Sequence, residues 1–224
     1  MRKTRLVLAA LLGISSFAAH ADLIVIVDGD SNYFAPGVSG VCITPCPAVD
    51  SQGYGSGIFG RTDTLAVTDL LFSGIGAHNS LTLSFDLAII DSWDGSTTVG
   101  GLVPPDFFNL VMDGSTLFSE TFDNFVLTDG TASSTLTPIL WGSNLGFGSW
   151  NDSLYNLSFT VDHMASDLSL QMFASGTGFQ GGLDESWAWD NLRIEINTVP
   201  EPGTLALFGI GLLGMGAARR RKKI

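Results

Sequence analysis

Alternation of apolar and polar side chains with a period of two is the feature that most constrains the fold. It is clearest in residues 81–89, where leucine, phenylalanine and isoleucine alternate with smaller or polar residues. A period of two places alternate side chains on opposite faces of a β-strand. Further strands are predicted at 23–27, 64–72, 107–112, 116–120, 157–161, 168–174 and 187–196. No convincing helical period precedes the C-terminal tail, so the body is predicted to be all-β.

Turn signals separate these strands. Asp113-Gly114 joins two of them and predicts a tight hairpin, and glycine-rich segments lie between the others. Many short alternating strands with such turns indicate an antiparallel β-sandwich, and we expect a jelly-roll-like arrangement. The sequence contains no internal repeat.

The last strand changes parity. Trp187 and Trp189 fall on one parity, whereas Leu192, Ile194 and Ile196 fall on the other. If one face stays buried, an extra residue must be inserted near 190–191, which predicts a β-bulge. The alternative is a regular strand with its tryptophans on the outer face.

The N-terminus has the three-part pattern of a secretory signal peptide. Three cations lie within the first five residues, an apolar stretch covers 6–17, and Ala19 and Ala21 supply the small residues of a cleavage site. This pattern predicts a signal peptide over residues 1–21, cleaved after Ala21. A first core helix would not carry its charges only at its start.

The C-terminus has three parts in a fixed order. The tripeptide Pro200-Glu201-Pro202 is followed by an apolar run at 203–218 and then by five cations, Arg219, Arg220, Arg221, Lys222 and Lys223. The run is apolar on every face, which predicts a single transmembrane helix with the cations held in the cytoplasm. The alternative is a buried helix that ends in a basic patch.

This order resembles the PEP-CTERM sorting signal of Gram-negative bacteria. The resemblance implies that an exosortase, a membrane-embedded protease-transferase, reads the tripeptide and that the tail is removed. We therefore divide the chain into a signal peptide (1–21), a β-sandwich (22–198) and a sorting signal (199–224). We expect an exported protein that passes the inner membrane on its way to the cell surface or the extracellular space.

The body between the two ends is strongly acidic. It contains 21 acidic residues, and its only Lys or Arg side chains are Arg61 and Arg193. Nucleic acid is excluded as a partner, because its binding requires cations that displace counterions. Carboxylates are ligands that calcium prefers, so calcium is the expected cofactor. The alternative is that the acidity only keeps an exported protein soluble.

A group of acidic residues lies at predicted strand ends and loops. The pattern includes a Trp-Asp-Gly turn at 93–95, a Pro-Asp strand start at 105–106 and a final strand that contains Asp190-Asn191. Over residues 80–196 it resembles a domain common in PEP-CTERM and related exported bacterial proteins. It is also similar to the jelly-roll of carbohydrate-binding modules, in which a carboxylate entering the last strand often holds a structural calcium.

The hypothesis drawn from this pattern is a single calcium site. Its predicted ligands, all at strand ends or loops, are Asp91, Asp94, Asp106, Glu185 and Asp190. The alternative is that each aspartate serves ordinary turn chemistry. Calcium bound to oxygens from separate loops would tie the edges of the sandwich together.

Other residue types suggest narrower roles. Trp141 and Trp150, in a loop rich in Gly, Ser and Asn, are candidates for stacking on sugar rings; the alternative is that they pack in the core. Cys42 and Cys46 are predicted to form a local disulfide in an oxidising compartment. His78 and His163 lie in polar contexts and are predicted to be solvent-exposed or turn residues.

The predicted function is that of a non-enzymatic protein of the cell surface or extracellular matrix. The chain has no nucleophile elbow, zinc-protease motif or nucleotide-binding glycine loop. One alternative is a carbohydrate-binding module that attaches to exopolysaccharide. A second is a glycan-active hydrolase that uses a carboxylate pair such as Asp94 with Glu185.

Overall fold

A computed structural model describes the body of the chain and a few residues of its tail. The described residues are 20–27, 32–42, 49–50, 58–62, 67–95, 104–124, 136–143, 150–182, 184–198, 211–213 and 215. The chain divides into two compact units. Residues 21–198 form one, and residues 1–20 with 199–224 form the other.

The described body is all-β, as the alternation predicts. Its strands are β1 His20–Val27, β2 Asn32–Phe34, β3 Ser39–Cys42, β4 Val49–Asp50, β5 Ile58–Thr62, β6 Thr68–Ser73, β7 Ser80–Asp91, β8 Phe107–Met112, β9 Ser115–Thr121, β10 Leu140–Ser143, β11 Asn151–Asp162, β12 Asp167–Ser175 and β13 Glu185–Thr198.

These strands form two sheets. Sheet A has the order β10-β11-β7-β13-β1-β2, with β5 paired to β13 and β4 to β5. Sheet B has the order β3-β6-β12-β8-β9. Each strand pair with a described register is antiparallel. The antiparallel β-sandwich is therefore confirmed, and its jelly-roll-like strand order stays a prediction.

One apolar core lies between the sheets. Leu83 and Phe85 of β7 and Phe108 of β8 are buried in the same cluster, which draws side chains from both sheets. The rings of Phe108 and Trp187 meet edge to face, with centroids 5.1 Å apart. Edge-to-face contact between large rings adds to the free energy gained from burying their area.

Strand β7 departs from simple alternation in its second half. The inward positions are buried throughout, but from Leu87 to Asp91 both faces are buried. Ala88 and Ile90 form a second, small apolar cluster with Leu154 of β11 and Ala188 of β13. A half-buried strand was predicted over all of 81–89, and this prediction is wrong for its last residues because a second cluster forms on the other face.

The bulge in β13 is confirmed. The pairing of β13 with β7 shifts register between Asp190 and Arg193, and Asn191 has a φ of 54°. Trp187 and Trp189 lie in the core before the shift, and Leu192 lies in it afterwards. The extra residue thus keeps one face buried through the change of parity.

The sandwich has two ends that differ in chemistry. The acidic end, named for Asp94, Asp106 and Glu185, lies where β7 ends and where β8 and β13 begin. The histidine end, named for His78, Asp113 and His163, lies where β7 begins and where β8 and β11 end. The predicted hairpin at Asp113-Gly114 is confirmed there, with β8 paired to β9 and positive φ at both turn residues.

Residues 1–19 of the predicted signal peptide and the sorting tripeptide lie outside the described residues, as does most of the predicted membrane helix, whereas residues 20 and 21 belong to β1. Residues 211–213 and 215 of the tail are helical. Across the part of the chain that the structure describes, no helix combines the length and the apolar character needed to cross a bilayer.

Candidate functional site

Three carboxylates meet at the acidic end. Asp94 follows β7 of sheet A, Asp106 precedes β8 of sheet B, and Glu185 is the first residue of β13 in sheet A. One carboxylate oxygen from each lies within 4.8 Å of the other two, and all three residues are buried. The group therefore joins connections from both sheets.

The turn after β7 brings Asp94 into the group. Asp91 ends the strand with a φ of 65°, which turns the chain away from the sheet. Trp93 then enters the core with no exposed surface, and its Nε1 donates to the backbone oxygen of Ser186 at 2.7 Å. The backbone N–H of Asn124 donates to the oxygen of Trp93 at 3.1 Å. These bonds fix the backbone directly before Asp94.

Two hydrogen bonds, both donated by backbone N–H groups, connect Asp94 and Asp106. The backbone N–H of Asp94 donates to Oδ2 of Asp106 at 2.7 Å, and the N–H of Asp106 donates to the oxygen of Asp94 at 2.8 Å. The other oxygen of Asp106, Oδ1, is buried and accepts no hydrogen bond from the described residues. A buried carboxylate oxygen without a donor is costly unless a proton or a cation satisfies it.

Glu185 is oriented by the loop that precedes β13. The backbone N–H of Gln180 donates to its Oε2, and the side-chain Nε2 of Gln180 lies 3.4 Å from its Oε1. The backbone N–H of Glu185 donates to the oxygen of Gly181 at 3.4 Å. The loop thus folds back over the carboxylate and leaves it wholly buried.

A close backbone approach supports Asp106 from the other side. Gly178 lies against the segment before β8, and a Cβ at this position would be 2.2 Å from the oxygen of Pro104. The same Cβ would be 3.5 Å from Oδ1 of Asp106. Glycine is required here because the two backbones approach too closely for any side chain.

Burial, and then repulsion between the carboxylates, raises the pKa of all three carboxyl groups. Burial raises the pKa of Asp106 to about 8, and repulsion from Glu185 and Asp94 adds to this effect, although the N–H of Asp94 opposes it. Burial is also the main cause of the raised pKa of Glu185 and of Asp94. Without a cation, the site therefore favours bound protons over full negative charge.

No described cation compensates this charge within the group. Arg193 lies in β13 beyond the bulge, with its guanidinium 3.5 Å from Glu195 Oε1. The side chain of Arg61, the other arginine of the body, is outside the described residues. Three carboxylate oxygens within 4.8 Å of one another fit a single calcium ion, because calcium–oxygen distances are about 2.3–2.6 Å.

Two of the five predicted ligands are not in this group. Asp91 pairs with Glu185 across β7 and β13, and its backbone N–H donates to Oδ1 of Asp152 at 3.0 Å. Asp190 lies at the bulge opposite Asp86. Its parity is opposite to that of the inward-facing Trp189, so it belongs to the other face of sheet A.

Sequence reasoning missed two neighbouring acids. The charges of Asp123, after β9, and Asp184, before β13, both raise the pKa of Asp94. Asp184 also accepts from the hydroxyl of Ser92, with Oδ1 at 2.7 Å. Asp184 precedes a predicted ligand in sequence and could have been included on that ground, whereas nothing near Asp123 indicates its position.

Comparison with protein families identifies a known motif in the C-terminal tail. The PEP-CTERM protein-sorting motif matches residues 198–222. The chain carries a PEP-CTERM protein-sorting motif. The match includes Pro200-Glu201-Pro202 and the basic residues Arg219, Arg220 and Arg221. The resemblance drawn from the sequence is therefore confirmed, and the motif supports an exported protein and exosortase substrate.

The solved structures compared with the chain here are distant in sequence. Dimeric latent PorU from Porphyromonas gingivalis is 12% identical over 84% of this chain and 14% of its own, with a TM-score of 0.43. The sugar-binding EclA C-terminal domain is 14% identical over 74% of this chain and 83% of its own, with a TM-score of 0.31.

The carbohydrate-binding module CBM35 from Cellvibrio japonicus Abf62 is 13% identical over 70% of this chain and 91% of its own, with a TM-score of 0.31. No curated protein sequence matches the chain at a significant level. The three TM-scores are below 0.5, so we infer nothing about function from these likenesses.

The two tryptophans predicted to stack on sugars have different surroundings. Trp141 lies in strand β10 rather than in a loop and is partly buried against the core. Trp150 directly precedes β11 and is 42% exposed. Of this pair, Trp150 is therefore the better placed to meet a ligand from solution.

The predicted disulfide is described on one side only. Cys42, at the end of β3, is disulfide-bonded. Cys46 is the other cysteine of the sequence and lies outside the described residues. The predicted signal cleavage site at Ala19 and Ala21 stays a prediction.

Proposed function

We propose that this PEP-CTERM protein is a non-enzymatic, calcium-stabilised β-sandwich of the cell surface or extracellular matrix. In this proposal an exosortase removes its tail at the inner membrane and thereby places the body outside. The observation that supports the calcium site is the set of three buried carboxylates at Asp94, Asp106 and Glu185, with ligand oxygens within 4.8 Å of one another.

The charge of the group favours a divalent cation. Burying several carboxylates without a counter-charge is expensive, and here that cost is expressed as raised pKa values. Calcium would satisfy Oδ1 of Asp106 and replace the protons that the metal-free site retains. Carboxylates from three separate segments suit calcium, which accepts flexible oxygen coordination, better than magnesium, which requires a near-ideal octahedron.

The position of the site suggests what the ion does. Asp94 and Glu185 belong to connections of sheet A, and Asp106 belongs to a connection of sheet B. An ion shared among them would hold the two sheets together at the acidic end. Its binding free energy would add directly to the stability of the fold, because the unfolded chain has no such site.

Calorimetry and thermal unfolding of the full chain in detergent test the proposal. We expect calcium to bind with measurable heat and to raise the melting temperature, and chelation to reverse both effects. Asp106→Asn should remove calcium binding, whereas Asp162→Asn, which changes an exposed carboxylate at the far end of β11, should retain it. Binding that survives Asp106→Asn would show that the ion lies elsewhere, and a complete absence of calcium effects would refute the site.

Burial also bears on the enzymatic alternative. A carboxyl group with a raised pKa suits a general acid, but Asp106 and Glu185 have no exposed surface. A sugar could not reach them without opening of the loop before β13. Their burial therefore supports a structural role over glycoside hydrolysis.

Carbohydrate binding is the second candidate function, and the exposed ring of Trp150 is the observation that favours it. Aromatic rings stack on the apolar faces of sugars while nearby polar groups set the orientation. Trp150→Ala should abolish retention on exopolysaccharide or on a glycan array. Met164→Ala, which removes another exposed apolar side chain, should not. Equal retention by both variants would argue against this function.

A further inference from the structure

Two histidines are buried together at the histidine end, where the sequence predicts solvent-exposed or turn residues; both lie between strands, as the second alternative has it, but neither is exposed. His78 precedes β7, His163 directly follows β11, and each is 7% exposed. His78 Nε2 and His163 Nδ1 are 2.6 Å apart, and the rings are nearly coplanar with an interplanar angle of 19°. The exposure prediction was wrong because residues 85 positions apart in the chain cover each other.

The outer nitrogens of both rings face acceptors. His78 Nδ1 is 2.6 Å from the backbone oxygen of Gly76, which can only accept, so Nδ1 carries a proton. His163 Nε2 is 3.2 Å from Oδ2 of Asp113. This contact lies outside hydrogen-bond geometry, but an adjacent carboxylate favours a proton on Nε2 through its negative charge. Asp113 is held in place because its Oδ1 accepts the N–H of Ser169 at 2.9 Å.

Counting protons shows what must lie between the rings. A neutral imidazole carries one N–H, and in each ring the acceptor beside the outer nitrogen favours placing that N–H there. Two neutral rings would then point lone pairs at each other across 2.6 Å, which is repulsive. We propose that His78 and His163 bind one shared proton in the hydrogen bond between them. The resulting cation pairs with the carboxylate of Asp113 and forms a clasp across the histidine end.

A metal ion fits this geometry less well than a proton does. Imidazole–metal bonds are about 2.0–2.1 Å long, so two nitrogens that share an ion would have to move apart from 2.6 Å. Among the described residues, no third His, Cys, Asp or Glu side chain completes a group of ligand atoms within 4.8 Å of one another at the two histidines. A short N–H···N bond needs no movement.

The other charges around the pair are few. The segment 74–79 holds no titratable group besides His78. On the neighbouring elements, Asp162 and Asp167 are exposed at the ends of β11 and β12, and Arg193 of β13 is next to Glu195. Asp113 is thus the one charge within 4.0 Å of either ring among the described residues.

The clasp joins three connections, two of which also meet through a backbone hydrogen bond. They are the segment before β7, the hairpin at Asp113-Gly114 and the turn after β11. The N–H of His163 donates to the oxygen of Asn79, whose own N–H donates to the oxygen of Asn197 near the end of β13. The shared proton and its ion pair would therefore link the segment before β7, the turn after β11 and the hairpin through side chains.

Nitrogen-15 NMR of the histidine rings is the direct test. The full chain in detergent, saturated with calcium to keep the acidic end constant, would be compared at pH 5 and pH 9. Long-range proton–nitrogen spectra should show three protonated ring nitrogens for the pair at pH 5 and two at pH 9. A His20→Asn substitution removes the third histidine from the spectrum. Two protonated nitrogens at pH 5, or displacement of the shared proton by added zinc, would overturn the proposal.

Thermal unfolding with variants separates the clasp from ordinary packing. At pH 5.5 the calcium-saturated protein should unfold at a higher temperature than Asp113→Asn, which removes the charge of the ion pair and keeps the shape of the side chain. Asp162→Asn, which changes an exposed carboxylate outside the pair, should leave the melting temperature unchanged. An equal melting temperature in Asp113→Asn would contradict the ion pair, and the ring spectra of the unsubstituted protein decide the shared proton even if a histidine variant does not fold.

Discussion

At the scale of single residues, Asp106 links the pH to the stability of the metal-free fold. Its pKa is raised to about 8 because the carboxyl is buried, whereas an unfolded aspartate has a pKa of about 3.9. The folded state therefore binds the proton more tightly. The stabilisation is fully present below about pH 4 and is lost as the pH rises through about 8.

This linkage predicts opposite behaviour without and with metal. In chelator, the melting temperature should fall by several degrees between pH 5 and 8, since about 1 kcal/mol corresponds to about 2–4 °C in a domain of this size. Asp106→Asn, which cannot ionise, should flatten that slope. Saturating calcium should remove it in the unsubstituted protein, because the ion binds the charged form. A chelated protein whose stability rises over this interval would contradict the buried proton.

At the scale of elements, the bulge in β13 depends on one unusual backbone conformation. Asn191 has a φ of 54°, which β-branched residues adopt only at a cost, and its Nδ2 donates to Oδ2 of Asp86 at 2.8 Å. Asn191→Val should lower the free energy of unfolding by about 1–2 kcal/mol. Asn191→Gly should cost less, because glycine accepts the conformation and loses only an exposed hydrogen bond. Urea unfolding measures the free energy of unfolding of both variants, provided that their m-values equal that of the unsubstituted protein. Equal stability of the two variants would argue against strain at the bulge.

The close contact of residues 176–178 with the segment before β8 allows a second test at the scale of elements. Gly178→Ala would place a Cβ 2.2 Å from the oxygen of Pro104 and so push the backbone that carries Asp106. We expect calcium affinity to fall at least tenfold. Gly76→Ala has open space around its Cβ and should leave calcium affinity unchanged. Calorimetry on both variants measures the effect, and unaltered affinity in Gly178→Ala would separate this contact from the site.

The sequence predicts the strands of this protein better than it predicts which side chains meet at its two ends. The strand pattern and the bulge follow from side-chain parity, which is local, and both were predicted from the sequence. The buried acidic group contains only part of the predicted set, since Asp190 satisfies the same strand-end rule as Glu185 but lies on the opposite face of sheet A. The pairing of His78 with His163 could not be predicted, because it is created by the packing of two distant connections.

At the scale of the whole molecule, charge is divided between the ends and the body. The predicted signal peptide and the sorting tail contain all but two of the ten Lys and Arg residues, and the body contains most of the acidic ones. Removal of both ends would leave a polyanion that anionic lipid repels and that divalent cations attract. Processing is therefore expected to change the affinity of the protein for the membrane as well as its length.

Replacement of Pro200, Glu201 and Pro202 by alanine tests this division. We expect the variant to keep its tail and to stay with the inner membrane, because the five basic residues and the apolar run are retained. The unsubstituted protein should lack the tail by mass spectrometry and should fractionate with the outer surface or the medium. Thr204→Ala, in the tail beyond the tripeptide, serves as the matched control and should be processed normally. If the alanine variant reached the outside with the same mature mass, the tripeptide would not be what directs processing, and the route to the surface would have to depend on the body instead.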